Sequence, residues 1–291
     1  MHASLAVAAA HARYLRDPPT AHTIRPLAEI YHSSKCTTLL NRKLSSPIQP
    51  QDRDALWATA AYLAIVSFAS LDATTPYEAW PLKSIDDPSD LLWLRMSLSK
   101  AVIWTLTDPS RESSIFRPMA PVYEQIHAPL PPMGIERVPP VLQILCDIDS
   151  ASTAENNPYY TAVQALSFLA EVKAENGSPF CSLAFMAHIR EDFAVLLMQK
   201  DPVALLLLSL WYAAASHAAW WIESRAEVEG RAICLYLERY HWDNGPLLGL
   251  LPWKSVRHYE DAFTPEGFYD SGHVEVLEGS NIWWTPPPFT R

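Results

Sequence analysis

Residues 202–222 read PVALLLLSLWYAAASHAAWWI, and this stretch decides the fold. It contains no Asp, Glu, Lys or Arg, and only Ser209, Ser216 and His217 interrupt its apolar side chains. A helix that is apolar on all sides must be surrounded by other helices. The stretch therefore predicts a fully buried helix at the centre of a large helical bundle.

The same stretch also has the length of a membrane-spanning helix. Its polar interruptions and its weak basic flanks favour a buried bundle helix instead, so we expect no membrane partner. A second run without charged residues, Ala55–Leu71, is interpreted in the same way. Asp201 and Pro202 stand immediately before the central run, where Asp caps free N–H groups and Pro suits the first helical turn.

The composition supports an all-helical protein. The chain has 291 residues, of which 49% are hydrophobic and 19% charged, as is typical of a globular domain. Only 8 residues are Gly, whereas 25 are Pro. Tight β-turns need Gly and Pro ends helices, so these counts favour helices joined by Pro-containing loops over a sheet. We expect an all-α fold, one large multi-helix domain with an apolar central cavity.

Helix boundaries are predicted mainly from Pro and Asp residues. The predicted helices span about 2–16, 26–44, 53–71, 88–106, 157–175, 178–200 and 202–223, and the last of them continues to 241 in the alternative interpretation. We expect one domain over residues 1–255. A partly irregular C-terminal extension over residues 256–291 follows, with a small hairpin within 273–285.

Charge and cysteine spacing exclude several classes of function. The chain carries 22 basic and 32 acidic residues, a formal charge of −10, and it has no basic run. Neutralising nucleic-acid phosphates needs a basic face, so we expect no direct contact with nucleic acid. The four cysteines are far apart and predict buried thiols rather than a metal site. Glycine-rich phosphate loops are absent from the sequence, and we expect no cofactor.

Aromatic side chains on the most apolar helix define the candidate ligand site. His217 stands three or four residues from two tryptophans, so the three share a helix face. A polar group among aromatic rings suits a cavity for a flat apolar ligand. The predicted lining residues are Tyr212, His217, Trp220 and Trp221, together with Trp57, Tyr62, Trp93 and Trp104 from the third and fourth helices. The alternative is a core packed with aromatic rings, in which protein groups satisfy His217.

Several short runs carry a resemblance to a known family. They are HARYL at 11–15, DALWATA at 54–60, SFA at 67–69, EAWPL at 78–82, WLRMS at 93–97, NPYY at 157–160, KDPVALLLL at 200–208, WWIESR at 220–225 and AICLYLER at 232–239. Their order and spacing over residues 1–255 resemble the regulatory domain of fungal zinc-cluster transcription factors. Within this family, the sequence resembles the branch that contains the sterol uptake control proteins.

The resemblance implies an all-helical domain with a deep apolar cavity that binds a sterol in well-known members. It also implies homodimers, a nuclear location and control of transcription. The family's basic six-cysteine zinc cluster is not found in this sequence. Sequence-specific DNA binding is therefore not carried over.

Three functions follow from these observations. The first is a regulatory domain that senses a sterol-like or terpenoid-like molecule. The second is a cytoplasmic enzyme of secondary metabolism that uses the family's cavity for a cofactor-free cyclisation, as a cyclase or pericyclase, with His217 as the candidate catalytic residue. Such a reaction needs mainly a shaped pocket and a few hydrogen bonds. The third is an interaction scaffold without a ligand. Fold resemblance alone does not decide between them.

Overall fold

The computed structural model describes residues 1–16, 25–84, 87, 89–174 and 179–253. Within these residues the chain forms α-helices and short 3-10 turns and contains no β-strand, which confirms the predicted all-α class. The α-helices are α1 (His2–Arg16), α2 (Leu27–Leu44), α3 (Arg53–Ala69), α4 (Leu92–Thr107), α5 (Ala120–His127), α6 (Pro140–Leu145), α7 (Tyr160–Ala174), α8 (Ala184–His188), α9 (Glu191–Met198), α10 (Pro202–Ala215), α11 (Trp220–Tyr240) and α12 (Gly245–Leu248). The predicted extension over 256–291 and its hairpin lie outside the described residues.

The central helix of the bundle is α10. It begins as predicted, because the Asp201 carboxylate accepts hydrogen bonds from the backbone N–H groups of Val203 and Ala204. The side chains of Leu205–Leu208, and of Trp211 and Tyr212 one turn later, are fully buried. Helices α7, α9 and α11 pack around α10, so the prediction of a core helix is confirmed, but the face that carries Val203, Leu210 and Ala214 is only half-buried.

Two predicted helices are interrupted in the structure. The stretch predicted as one helix over 178–200 forms a 3-10 turn and then α8 and α9. The central helix ends at Ala215, and Ala219 has an extended backbone with φ −157° and ψ 143° before α11 begins. The break lets α11 fold back along α10, where Ile222, Ala226 and Ile233 become buried. One continuous helix would leave that apolar face of α11 in water.

In the described part of the chain, no single helix combines the length and hydropathy of a membrane span. The pair α9 and α10 meets both criteria only when its two helices are joined, and they are bent by 104° at their break.

Helix α3 holds the N-terminal part of the chain against the central pair. It packs against α1 and α2 on one side and against α4 and α11 on the other. The connection from α3 to α4 covers part of α11, where Ala79 is buried against Val228 and Ala232. The C-terminal end of α3 is therefore the place where four helices and one long connection meet.

Gly230 in α11 provides a test of this packing. A Cβ atom at Gly230 would lie 2.6 Å from Cζ3 and 2.8 Å from Cη2 of Trp253. Ala is favoured over Gly by about 1 kcal/mol inside a helix, but overpacking costs about 1–3 kcal/mol. We expect Gly230→Ala to lower the free energy of unfolding by about 1 kcal/mol, as measured by urea denaturation.

Removal of the Trp253 ring should reverse the sign of this effect. In a Trp253→Ala background, Gly230→Ala should stabilise the protein by about 1 kcal/mol, because only helix propensity remains. Gly245→Ala is the control, since a Cβ at Gly245 meets nothing within 4 Å. A Gly230→Ala effect of the same sign in both backgrounds would contradict the close packing of Trp253.

Candidate functional site

The site begins with an unsatisfied helix end. The last four carbonyl groups of an α-helix have no amide partner in their own helix. In α3 the N–H of Ser70 donates to the first of these, the carbonyl of Val66, at 2.8 Å. The carbonyl oxygens of Ser67, Phe68 and Ala69 belong to half-buried or buried residues and need other donors.

Arg225 of α11 supplies most of these donors. Its Nε donates to the carbonyl oxygen of Phe68 at 2.8 Å, and its Nη2 donates to those of Ser67 at 3.3 Å and Ser70 at 2.8 Å. Its Nη1 donates to Glu229, one turn further along α11. The guanidinium carbon lies 5.3 Å from the centre of the Phe68 ring, within range of a cation–π contact.

Arg13 of α1 supplies the remaining donor. Its Nη2 donates to the carbonyl oxygen of Ala69 at 3.1 Å, and its Nε and Nη2 bind the two carboxylate oxygens of Glu29 at 3.0 and 3.2 Å. Glu29 has no solvent exposure, and its Oε1 also accepts a hydrogen bond from the hydroxyl of Ser70. We call Arg13, Glu29, Arg225 and Glu229 the arginine cap of α3.

Glu229 connects the arginine cap to the central helix. Its Oε1 accepts a hydrogen bond of 3.0 Å from the hydroxyl of Tyr212 in α10. Burial raises the pKa of the Glu229 carboxyl, and the adjacent Arg225 opposes this shift. Burial also raises the pKa of Tyr212 well above its ordinary value, so that the phenol stays protonated and donates. The cap thus joins α1, α2, α3, α10 and α11.

A cleft of about 440 Å³ opens beside the arginine cap. It lies between α2, the C-terminal half of α3, the connection from α3 to α4, the start of α4, and α11. Arg225 and Glu229 form its floor together with Ser67 and Ser70. Its apolar wall consists of Leu63, Val66, Leu71, Trp80, Leu92 and Met96. Its charged rim consists of Arg25, Asp72, Glu78, Lys83, Asp87 and Asp90.

Three of the predicted site residues lie together in the main core. Trp93 and Tyr212 are buried, and their ring centres are 6.4 Å apart. Trp221 packs edge-on against Phe68 at 5.3 Å, and Phe68 also contacts Trp93 at 4.9 Å. The structure therefore brings these three residues around one phenylalanine that fills the space between them.

Two further predicted residues form a separate cluster. Trp57 and Trp104 have ring centres 4.8 Å apart, and Trp104 stacks on Tyr123 of α5. Tyr62, which was predicted to join them, has 37% of its surface exposed. Within the described residues, this cluster and the core around Phe68 are distinct hydrophobic groups.

The expected burial of His217 is wrong. The side chain is 67% exposed, and its Nδ1 lies 3.8 Å from a carboxylate oxygen of Glu223. The reason is the break between α10 and α11, which takes His217 out of any helix. The break also removes the helix face that His217 was expected to share with Trp220 and Trp221. Trp220 packs instead against His11 of α1, with 4.9 Å between the ring centres.

The eight predicted residues therefore do not converge on one cavity, and none of them lines the cleft. The residues that do form its floor were missed. Arg225 and Glu229 stand four residues apart in α11, where such a pair normally lies on an exposed face. The available signal was their position: both fall on the same side of α11 as the apolar residues Ile222, Ala226 and Ile233.

Metal binding and cysteine chemistry find no support in this site. Among the described residues, no three His, Cys, Asp or Glu side chains are grouped to hold a metal ion. All four cysteines are free and buried, as predicted. Burial raises the pKa of the Cys146 and Cys234 thiols to about 12, so both stay protonated and are poor nucleophiles.

Comparisons with known proteins give no family assignment. No protein-family model, no curated protein and no solved structure matches this chain. The resemblance to the fungal regulatory domains therefore stays a hypothesis.

The arginine cap predicts that breaking one charge pair of α11 lowers the unfolding free energy much more than breaking the other. Arg225→Met leaves Glu229 buried without its counter-ion and removes the donors to two α3 carbonyls and to the Ser70 carbonyl, so we expect a loss of about 3–5 kcal/mol in unfolding free energy. Arg231→Met is the matched control, because Arg231 pairs with Glu227 at the same spacing but is 27% exposed. The control should cost less than about 1 kcal/mol by urea denaturation. Equal losses would contradict the cap.

The exposure of His217 predicts that its removal has little effect. We expect His217→Ala to change the unfolding free energy by less than about 0.5 kcal/mol, as for most exposed positions. Thermal and urea denaturation of the variant measure this directly. A loss above about 2 kcal/mol would indicate that His217 is buried after all.

Proposed function

We propose that this chain is a small-molecule-sensing regulatory domain of the fungal zinc-cluster type that does not itself contact DNA. The observation that carries the proposal is the cleft, whose floor is formed by Arg225 and Glu229 of the arginine cap. Its volume of about 440 Å³ falls within the range of about 300–1,000 Å³ that is usual for small-molecule sites.

A ligand in this cleft would act on the helix packing. It would contact the last turn of α3 and the two α11 side chains that bind that turn. A ligand shifts a conformational equilibrium only if it interacts differently with the two states. Because the cap joins five helices, any change in its hydrogen bonds alters how α1 and α2 sit against α10 and α11. This is the coupling that a sensor domain needs.

The ligand we propose is amphipathic. The sequence predicted an apolar small molecule of sterol or terpenoid type. The cleft pairs one apolar wall with a charged rim, so it suits an apolar body that carries a polar end. The family resemblance supports a nuclear location and homodimers as further parts of this proposal.

The enzyme alternative has less support from the site. A cofactor-free cyclisation requires a pocket that encloses its substrate and supplies groups free to respond to it. In the cleft, the two buried charged residues of the floor are committed to capping α3 and to binding each other. Side chains that are held in this way suit the binding of a ligand by a sensor domain better than the catalysis of a reaction.

The proposal predicts ligand-dependent stabilisation that a blocked cleft loses. We expect at least one member of an amphipathic sterol and terpenoid library to raise the melting temperature of the wild type. A ligand at 100 times its Kd stabilises by about 2.7 kcal/mol. Thr37→Trp should abolish the response, because Thr37 lines the cleft.

Thr38→Trp is the matched control for this experiment. Thr38 is the next residue of α2, is also exposed, and also bonds to a backbone carbonyl four residues earlier, but it does not line the cleft. The ligand should raise the melting temperature of the Thr38→Trp variant as much as that of the wild type. Mass spectrometry should show that the ligand is chemically unchanged after incubation with the protein. No stabilisation of the wild type, an equal response of Thr37→Trp, or conversion of the ligand would each overturn the proposed function.

A further inference from the structure

The cleft contains three basic side chains, and each of them already has a carboxylate partner. Arg25 pairs with Asp72 at 2.6 Å and Lys83 with Asp90 at 2.5 Å. Arg225 pairs with Glu229 in the floor. Among the described residues, the lining therefore offers no cation that lacks a carboxylate partner.

Two further carboxylates of the rim, Glu78 and Asp87, form no salt bridge in the described part of the chain, although the positive charge of Lys83 also lowers the pKa of Asp87. Oε2 of Glu78 accepts hydrogen bonds from the hydroxyl and the N–H of Thr74 and from the N–H of Thr75. Oδ1 of Asp87 accepts hydrogen bonds from the N–H and the hydroxyl of Ser89. These bonds hold the pKa of each carboxyl below its usual value. Both groups are therefore ionised at neutral pH, and each keeps a second oxygen that no protein donor occupies in the described residues.

The hydroxyl groups of the cleft add acceptors rather than donors. A hydroxyl has one O–H donor and two acceptor lone pairs. Each hydroxyl of the lining already donates its hydrogen to another protein group. The bonds run from Ser33 to the Glu29 carbonyl, from Thr37 to the Ser33 carbonyl, from Ser67 to the Ala64 carbonyl, from Ser70 to the Glu29 carboxylate and from Ser89 to the Asp87 carboxylate. These five hydroxyls can therefore still accept hydrogen bonds from a ligand through their lone pairs.

The lining thus has a consistent polarity. Its described residues include five carboxylates and three cations, its hydroxyls can accept hydrogen bonds from a ligand, and its other wall is apolar. A ligand carboxylate or phosphate would meet an excess of carboxylates, and it would share the N–H donors of Arg25 and Lys83 with Asp72 and Asp90, which already bind them. A ligand ammonium would meet two ionised oxygens with a free coordination position each.

We infer that the cleft selects an organic cation, an ammonium or guanidinium group carried on a compact apolar body. The charged end lies at Glu78 and Asp87, and the apolar body lies against Leu63, Val66 and Met96. This inference rests on the proposed function of the cleft and narrows the ligand to one charge class.

Three compounds with the same body and different ends test the inference. Isothermal titration of the full-length chain with 1-adamantanamine, 1-adamantanol and 1-adamantanecarboxylate compares ammonium, hydroxyl and carboxylate directly. We expect the amine to bind at least about tenfold more tightly than the alcohol, and the carboxylate to bind most weakly. Thr37→Trp should remove binding of the amine.

Variants that neutralise one carboxylate at a time test whether Glu78 and Asp87 cause the preference for the amine over the alcohol. Glu78→Gln and Asp87→Asn should each bring the affinity for the amine closer to that for the alcohol and leave the alcohol's affinity unchanged. Asp243→Asn, at an exposed carboxylate outside the cleft, is the matched control and should leave the amine's advantage unchanged. If the Glu78→Gln variant is unstable, the affinities of the Asp87→Asn variant for the amine and the alcohol still test the inference.

The outcomes separate this inference from the proposed function. Equal binding of amine and alcohol, tighter binding of the carboxylate, or a selectivity that neither variant reduces would overturn the cationic ligand class. The cationic ligand class would also be overturned if none of the three compounds binds, while compounds of the sterol and terpenoid library stabilise the wild type but not the Thr37→Trp variant. If no compound of either set distinguishes Thr37→Trp from the wild type, the proposed function falls as well.

Discussion

Three carbonyl oxygens in the last turn of α3 lack donors in their own helix, and the arrangement of the surrounding helices follows from how they are satisfied. Two arginines that are more than 200 residues apart in sequence, Arg13 and Arg225, reach the same helix end. Each brings a buried glutamate with it, so that no charge is left uncompensated. Removing one partner of such a buried pair costs more than the pair itself contributes. The cap therefore specifies one packing of these helices.

The cap also explains why a cleft at this position is suited to sensing. A cavity inside a close-packed core could accept a ligand with little effect on helix positions. The cleft instead reaches the arginine cap, in which Arg13 of α1 and Arg225 of α11 bind the end of α3 and Glu29 and Glu229 extend the hydrogen bonds to α2 and α10. A small molecule there interacts with the groups that set those positions, and its binding energy is available to change them.

The sequence predicted the fold well and the site poorly, for physical reasons. Helix α1 and the start of α10 follow from local Pro, Asp and apolar patterns, and burial of Leu205–Leu208 follows from their lack of charge. The break after Ala215 has no Pro or Gly, because tertiary packing of α11 imposes it. The pairs Arg225–Glu229 and Glu227–Arg231 have the same spacing and opposite order. Only the position of α3 makes the first of them buried.

The coupling between Arg225 and Glu229 tests the central claim most directly. A double-mutant cycle with Arg225→Met, Glu229→Leu and the combined variant measures it from unfolding free energies in urea. If the two side chains neutralise each other in the buried cap, the combined variant should lose at least about 1.5 kcal/mol less than the sum of the single losses. Additive losses, within about 0.5 kcal/mol, would show that the two residues act independently and would contradict the account.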